Sequence, residues 1–267
     1  MSRLPEYTDY SVLAPLFNTT PPRPGFFTRA FPSLTFYLRM LAAISRSARA
    51  INAGRGNLDL YIKSSLDVAS SVTSTGTRII VENEEVLRKL DGPCIIAANH
   101  MSALETMVVE GIVMPIRPMT LVTKASLMKY PIFSTPLKAC DPIVVGRANP
   151  RDDLRVMVAE THDRITRGIS VVVFPQTTRT NHFSPEHFNS IGAKLAKREK
   201  VPLVPLALKT DFWGCGWPIK DIGRINPRLD VHFRFGEPLD ASAGEREAHQ
   251  HCVDFIGATL QEWAAEK

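Results

Sequence analysis

A histidine and a glutamate stand five residues apart in the stretch NHMSALE, residues 99–105. A neutral imidazole can take a proton from a hydroxyl near neutral pH, and it works best when a carboxylate holds its other ring nitrogen. His100 and Glu105 are therefore a candidate base and orienting acid. The same letters spell S-x-x-E, the capping box of an ordinary helix start, with Ser102 as the cap. The spacing alone leaves both roles open for Glu105.

Polar residues also follow two other apolar runs. Arg147 follows PIVVG, and residues 176–180 follow SVVVFP. In α/β proteins the carboxyl ends of the strands carry the sites, so these residues are expected to converge with His100 on one crevice. Taken singly, Arg147 and Arg179 are more typical of solvated charges at strand ends than of a binding site.

The elements that must position these residues are short apolar strands interleaved with helices. The strand-like runs are TRIIVEN, CIIAAN, MTLVTK, PIVVGR, SVVVFP, LVPLAL and RLDVHFRFG. Helices are predicted at EEVLRKL and at residues 102–113, 152–167, 187–200 and 245–263. This order predicts a single α/β domain with a mostly parallel or mixed sheet flanked by helices. We divide the chain into an N-terminal part, residues 1–58, and the α/β domain, residues 59–267.

The N-terminal part combines an irregular lead with a predicted amphipathic helix at residues 32–50. Its apolar face is formed by Leu34, Tyr37, Leu38, Leu41, Ile44 and Ala48. Between Tyr10 and Leu58 the chain has six arginines and no Asp, Glu or Lys. A basic amphipathic helix favours contact with an anionic membrane surface, and packing on its own domain is equally open. No nucleic-acid-binding motif is present, so nucleic acid is not an expected partner.

The composition sets further limits. The chain has 267 residues, a formal net charge of +5 and 44% hydrophobic residues. The run AFPSLTFYLRMLAAI is interrupted by Arg39, and no run reaches the ~18 residues that a spanning helix requires. No secretory signal is evident. We therefore expect a peripheral protein at the cytoplasmic face of a membrane, without a transmembrane helix. His182 and His187 lack an evident third ligand, so no metal site is predicted.

Four stretches resemble, in order, the blocks of the glycerolipid acyltransferase family, of the lysophosphatidic acid (1-acylglycerol-3-phosphate) acyltransferase type. NHMSALE is similar to the block N-H-x-S-x-x-D, and TKASLMKYPIFSTPLKACDPIVVGR to the block that runs from a lysine to an arginine. VVVFPQTTRT is similar to F-P-E-G-T-R-S, and VPLVPLAL to V-P-ϕ-ϕ-P-V. The resemblance covers about residues 78–240.

The resemblance implies transfer of a fatty acyl chain from acyl-CoA or acyl carrier protein to a hydroxyl of a lysophospholipid, the 1-acylglycerol-3-phosphate of phospholipid biosynthesis. His100 would be the general base, oriented by Glu105. No metal, no cofactor and no covalent acyl-enzyme are implied. The implied substrate-binding residues are Lys124, Arg147, Gln176, Thr177, Thr178 and Arg179.

The chain departs from the family pattern at two places. Glu105 replaces an Asp, and Gln176-Thr177 replaces Glu-Gly. These changes fall where the acceptor is expected. Two alternatives therefore stay open: an acceptor such as a lyso-ornithine lipid, and a non-catalytic lipid-binding relative.

Overall fold

A seven-stranded β-sheet forms the centre of the computed structural model, which describes residues 16–55, 58–176, 178–216, 222–242 and 244–265. The strands are β1 (Ile79–Glu82), β2 (Ile95–Ala98), β3 (Met119–Lys124), β4 (Ile143–Val145), β5 (Ser170–Val173), β6 (Leu203–Lys209) and β7 (Val231–Phe235). Their order across the sheet is β1-β7-β6-β2-β5-β3-β4. All seven strands correspond to runs that the sequence predicts.

The direction of the strands decides which ends meet. Neighbouring strands pair in parallel, except that β7 runs antiparallel to β6. The carboxyl ends of β6, β2, β5, β3 and β4 therefore lie at one edge, and those of β1 and β7 lie at the opposite edge. The prediction of an α/β domain with a mixed sheet is confirmed, while the division of the chain at residue 58 stays a prediction.

The burial of each strand follows from its residues. All four residues of β2 and of β5 are buried, because helices cover both faces of the sheet there. Continuous apolar runs such as IIAA fit this position. In β7 buried and half-buried residues alternate, as its VHFRF pattern predicts.

Helices cover both faces of the sheet. The helices are α1 (Phe26–Ala30), α2 (Pro32–Ala50), α3 (Leu58–Thr73), α4 (Glu85–Arg88), α5 (Glu105–Val113), α6 (Pro131–Leu137), α7 (Pro150–Thr166), α8 (Ile191–Glu199) and α9 (Glu245–Ala265). One apolar core lies under α2, α3 and α5, and a second lies under α7, α8 and α9. No helix among the described residues combines the length and the apolar character needed to cross a membrane.

Helix α2 has the predicted bounds, but the residues predicted to share one apolar face are divided between a buried and an exposed side. Its buried apolar side chains are Phe36, Met40, Ala43, Ile44 and Ala48. Leu34, Leu38 and Leu41, which the sequence pattern placed on the same face as Ile44, are exposed. The helix carries apolar residues on two sides, so its periodicity could not decide which side packs on the sheet. Ile44 and Ala48 follow the alternative of packing on the domain, whereas the three leucines are exposed, and contact of this side with a membrane stays a prediction.

Helix α3 was not predicted from the sequence. Ten of its sixteen residues are buried, but four of them are serine or threonine, which interrupt the apolar pattern. The Ser65 hydroxyl donates to the carbonyl of Met107 at 2.7 Å and accepts from the Gly111 N–H at 2.8 Å. Ser65 therefore joins α3 to α5, while the hydroxyls of Ser71 and Thr73 donate to carbonyls of α3 itself.

The four cysteines are free thiols. Cys94, Cys140 and Cys252 are buried, whereas Cys215 is exposed. Cys215 lies in the loop after β6, two residues beyond Trp213, whose ring packs edge-on against Phe36 of α2 at 5.1 Å.

Candidate active site

The candidate site lies at the edge where five strands end. His100 follows β2, residues 174–180 follow β5, Lys124 ends β3, Arg147 follows β4 and Thr210 follows β6. Since β2 lies between β6 and β5, His100 has the ends of both neighbours beside it.

His100 and Glu105 form the central contact of the site. Nδ1 of His100 lies 2.9 Å from Oε1 of Glu105. The Glu105 side chain is fully buried, and 15% of the His100 side chain is exposed. A carboxylate at this distance holds the proton on Nδ1, which leaves the lone pair of Nε2 to accept a proton from a hydroxyl.

The Glu105 carboxylate is surrounded by donors. Oε1 also accepts from the backbone N–H of Met101 at 2.6 Å and of Ser102 at 2.9 Å. Oε2 lies 2.8 Å from the Ser102 hydroxyl and 2.6 Å from the Thr210 hydroxyl. Burial by itself would raise the pKa of this carboxyl, but the hydrogen bonds from His100, Thr210 and the backbone hold its pKa below the ordinary value.

The expected helix start at Ser102 is wrong. Helix α5 begins at Glu105, and no side chain caps it at Leu104. Ser102 lies in a turn, where its hydroxyl accepts from the Leu104 N–H at 3.0 Å. Leu104 already has helical dihedral angles, and in the stretch before it the N–H groups of Met101 and Ser102 donate to the Glu105 carboxylate. The same carboxylate thus accepts from the turn and holds His100.

The strand ends beside β2 fix the backbone around His100. The His100 N–H donates to Oε1 of Gln176 at 2.7 Å, and its carbonyl accepts from the Thr180 N–H at 3.0 Å. The Phe174 ring lies 4.7 Å from the imidazole, between centroids. On the other side, the Asn99 amide exchanges two hydrogen bonds with the backbone of Leu208, at 2.7 and 2.8 Å. Hydrogen bonds therefore connect the segment around His100 to both neighbouring strands.

The remaining predicted residues lie along the same edge at increasing distance from His100. Thr178 is exposed and Arg179 half-buried in the loop after β5, and Thr177 lies outside the described residues. Lys124 is exposed two strands from β2, and Arg147 is exposed three strands away, about 14 Å at the usual strand spacing. The backbone N–H groups of Gly146 and Arg147 donate to Asp153, which orders that loop.

Sequence reasoning missed Thr210. It lies 105 residues beyond Glu105, in no motif, and only the pairing of β2 with β6 brings the two together. The one available signal was a threonine directly after a buried apolar strand. The tie between Gln176 and His100 was also not predicted. Gln176 was expected to bind substrate, whereas its amide oxygen accepts from the His100 backbone.

Comparison with known proteins agrees with this arrangement. The sequence model of the Acyltransferase family matches residues 78–209, which contain His100, Glu105 and the ends of β2 to β6. The chain is 27% identical over 147 residues to a 1-acyl-sn-glycerol-3-phosphate acyltransferase of Pseudomonas aeruginosa, covering 53% of this chain and 56% of that protein. It is 29% identical over 193 residues to a putative 1-acyl-sn-glycerol-3-phosphate acyltransferase of Caenorhabditis elegans, covering 69% and 72%.

A solved structure shares the fold. The crystal structure of the 1-acyl-sn-glycerophosphate acyltransferase PlsC from Thermotoga maritima superposes with a TM-score of 0.69 over 90% of this chain and 97% of that one, at 18% identity. Residues 78–209 therefore form a domain of the Acyltransferase family.

Proposed function

We propose that the protein is an O-acyltransferase that moves a fatty acyl chain from acyl-CoA or acyl carrier protein to a hydroxyl of a lysophospholipid, with 1-acyl-glycerol-3-phosphate as the acceptor. The observation that carries the proposal is the buried Glu105 carboxylate on Nδ1 of a partly exposed His100. This geometry leaves Nε2 as a base that can reach a substrate.

The proposed reaction follows from that tautomer. Nε2 of His100 removes the proton of the acceptor hydroxyl while the hydroxyl oxygen attacks the carbonyl carbon of the thioester. As the new C–O bond forms and the C–S bond breaks, the imidazolium returns the proton to the departing thiolate. The negative charge of Glu105 stabilises the imidazolium in between. The products are the acylated lipid and a free thiol, so the thioester is the only other reactant that the proposal needs.

The acceptor would bind along the strand ends from β5 to β4. Arg179, Lys124 and Arg147 lie on that side of His100 and have the charge that a phosphate head group requires. Thr177 and Thr178 belong to the same loop and remain proposed binding residues. Gln176 supports the site through the His100 backbone, where an amide oxygen accepts a hydrogen bond as a carboxylate would.

The outer face of α1 and α2 favours a peripheral position on a membrane. Phe26 is 88% exposed, and Phe27, Phe31, Leu34, Leu38 and Leu41 are also exposed. Arg29, Arg39, Arg46 and Arg49 are exposed on the same two helices. An apolar stripe bordered by arginines suits the interface of an anionic leaflet, where the lysophospholipid acceptor occurs. We place it at the cytoplasmic face, on the side of the thioester donors.

The test is a transfer assay on the purified protein with labelled acyl-CoA or acyl carrier protein and a panel of lyso-lipids. We expect transfer to 1-acyl-glycerol-3-phosphate that is lost in His100→Ala and retained in the matched control His162→Ala, a histidine exposed on α7. Transfer only to a lyso-ornithine lipid would change the acceptor and keep the reaction. Lipid binding without any transfer, unchanged by His100→Ala, would refute the enzymatic role.

A further inference from the structure

We propose that Thr210 is a positioning residue of the proposed acyltransferase site, which holds the Glu105 carboxylate in the orientation that keeps Nδ1 of His100 protonated. The expected effect on kcat rests on the proposed function. The geometric part of the inference concerns Glu105 and His100 alone.

The two carboxylate oxygens of Glu105 have different neighbours. Oε1 faces His100 and the N–H of Met101, and it shares the Ser102 N–H with Oε2. Oε2 lies against two hydroxyls, those of Thr210 and Ser102, in addition to the Ser102 N–H. A carboxylate that turned about its last bond would exchange these oxygens, so the groups on Oε2 determine where Oε1 points.

The positions of the two hydroxyl protons indicate that Thr210 contributes more than Ser102 to the orientation of the Glu105 carboxylate. The Thr210 hydroxyl donates to Oε2 at 2.6 Å. The Ser102 hydroxyl has one proton, and it lies 2.8 Å from Oε2 and 2.9 Å from the Thr210 oxygen. Ser102 can therefore donate to either oxygen, whereas the lone pair of Thr210 accepts from Ser102 while its own proton goes to Oε2.

Thr210 occupies a fixed position relative to His100. It is fully buried and directly follows β6, which pairs with β2 in parallel. Two hydrogen bonds between Asn99 and Leu208 join the ends of β2 and β6. Asn99 directly precedes His100, and Leu208 lies two residues before Thr210. The hydroxyl therefore approaches the carboxylate from a rigid strand, and not from a mobile loop.

The hydroxyl also supports the charge on Glu105. A buried carboxylate stays ionised only if donors replace the water it has lost. Thr210 is one of the donors that hold the pKa of this carboxyl below the ordinary value. An ionised Glu105 keeps the proton on Nδ1, and this leaves Nε2 available as the base.

The experiment compares three threonine variants. Thr210→Val removes the hydroxyl and keeps the shape of the side chain, Thr210→Ser restores the hydroxyl, and Thr120→Val is the matched control. Thr120 is also fully buried, but its hydroxyl donates to the Asp141 carbonyl, away from Glu105. We expect kcat to fall about 10- to 100-fold in Thr210→Val with KM within about twofold. Thr210→Ser and Thr120→Val are expected to keep most of kcat.

A second measurement separates this inference from the proposed function. NMR of protein with labelled histidine detects the Nδ1–H proton of His100, assigned by its absence in His100→Ala. We expect this signal to weaken and to exchange faster with water in Thr210→Val, and to persist in Thr210→Ser. If Thr210→Val melts before the measurement, the smaller Thr210→Ala replaces it. An unchanged signal in a folded Thr210 variant overturns the inference, even if the wild-type protein transfers no acyl group. Absent transfer with an altered signal refutes the proposed function alone.

Discussion

Glu105 performs two tasks that the sequence presents as alternatives. Its carboxylate accepts from backbone N–H groups, as in a capping box, and from the imidazole of His100. Both are possible because the helix begins at Glu105 itself, so the side chain lies over the preceding turn. The spacing of NHMSALE is sufficient to predict the pair, but it cannot predict the donors on Oε2, because Thr210 comes from a distant strand.

The replacement Glu105→Gln should separate the two tasks. We expect turnover to fall by ~100-fold or more, since a neutral amide no longer fixes the tautomer of the base. The matched control is Glu110→Gln, the same change in another buried glutamate of α5 that does not contact His100. Steady-state kinetics and thermal melting on the same samples provide the measurement. Full activity with a loss of only ~1 kcal/mol in stability would mean that Glu105 is merely a cap.

Glu110 itself predicts a pH dependence of stability. Burial raises the pKa of this carboxyl from 4.5 to about 8, and the hydrogen bond from Tyr61 only partly opposes the rise. Between these values the folded chain holds a proton that the unfolded chain releases. The free energy of unfolding should therefore fall as pH rises from 5 to 8.

Urea unfolding at several pH values measures this contribution. We expect the wild-type protein to lose stability relative to Glu110→Gln as the pH increases through that range, because glutamine cannot ionise. A constant difference between the two proteins from pH 5 to pH 8 would show that Glu110 stays ionised in the folded state.

At the scale of the element, α2 is apolar on two sides. Phe36, Met40 and Ile44 belong to the core, while Leu34, Leu38 and Leu41 are exposed. The bounds of this helix could be predicted, because Pro32 suits a first helical position and the apolar residues recur at helical spacing. Its orientation could not, because both stripes satisfy the same periodicity and only the fit against Phe212 and Trp213 decides between them.

Replacing Leu34, Leu38 and Leu41 together by glutamine tests the outer stripe. We expect binding to anionic vesicles to fall at least ~10-fold, because burial of each leucine in the interface contributes about 1.5–3 kcal/mol at most. Stability should change little, since these side chains are exposed in the folded protein. The matched control replaces the exposed Leu154 and Val156 of α7 by glutamine. Equal vesicle binding by both variants would contradict a membrane role for α2.

Comparing these two glutamine variants tests the membrane role of α2 more specifically than deleting residues 1–50 would. The truncation would also take Phe36 out of the core, where it is fully buried against Phe212 and Trp213. Removing a buried phenylalanine side chain costs about 3–5 kcal/mol. Weak vesicle binding by the truncated chain would then report an unfolded protein as readily as a lost interface.

At the scale of the whole molecule, the topology explains which parts of the site the sequence predicts. His100, the loop after β5 and Arg147 each follow an apolar strand, so their common edge follows from parallel pairing. The strand order is set by contacts between distant residues, and the sequence contains no local signal for it. This order places β6 next to β2, and therefore Thr210 beside Glu105, while it places Arg147 three strands away.

The distribution of the thiols has a practical consequence. Cys215 is the single exposed cysteine of the four, so a maleimide dye can label the natural sequence at one position without mutagenesis. That position lies five residues after Thr210 and two after Trp213, which packs on α2. An environment-sensitive fluorophore at this position therefore gives a direct test of whether the loop after β6 changes its surroundings when vesicles are added.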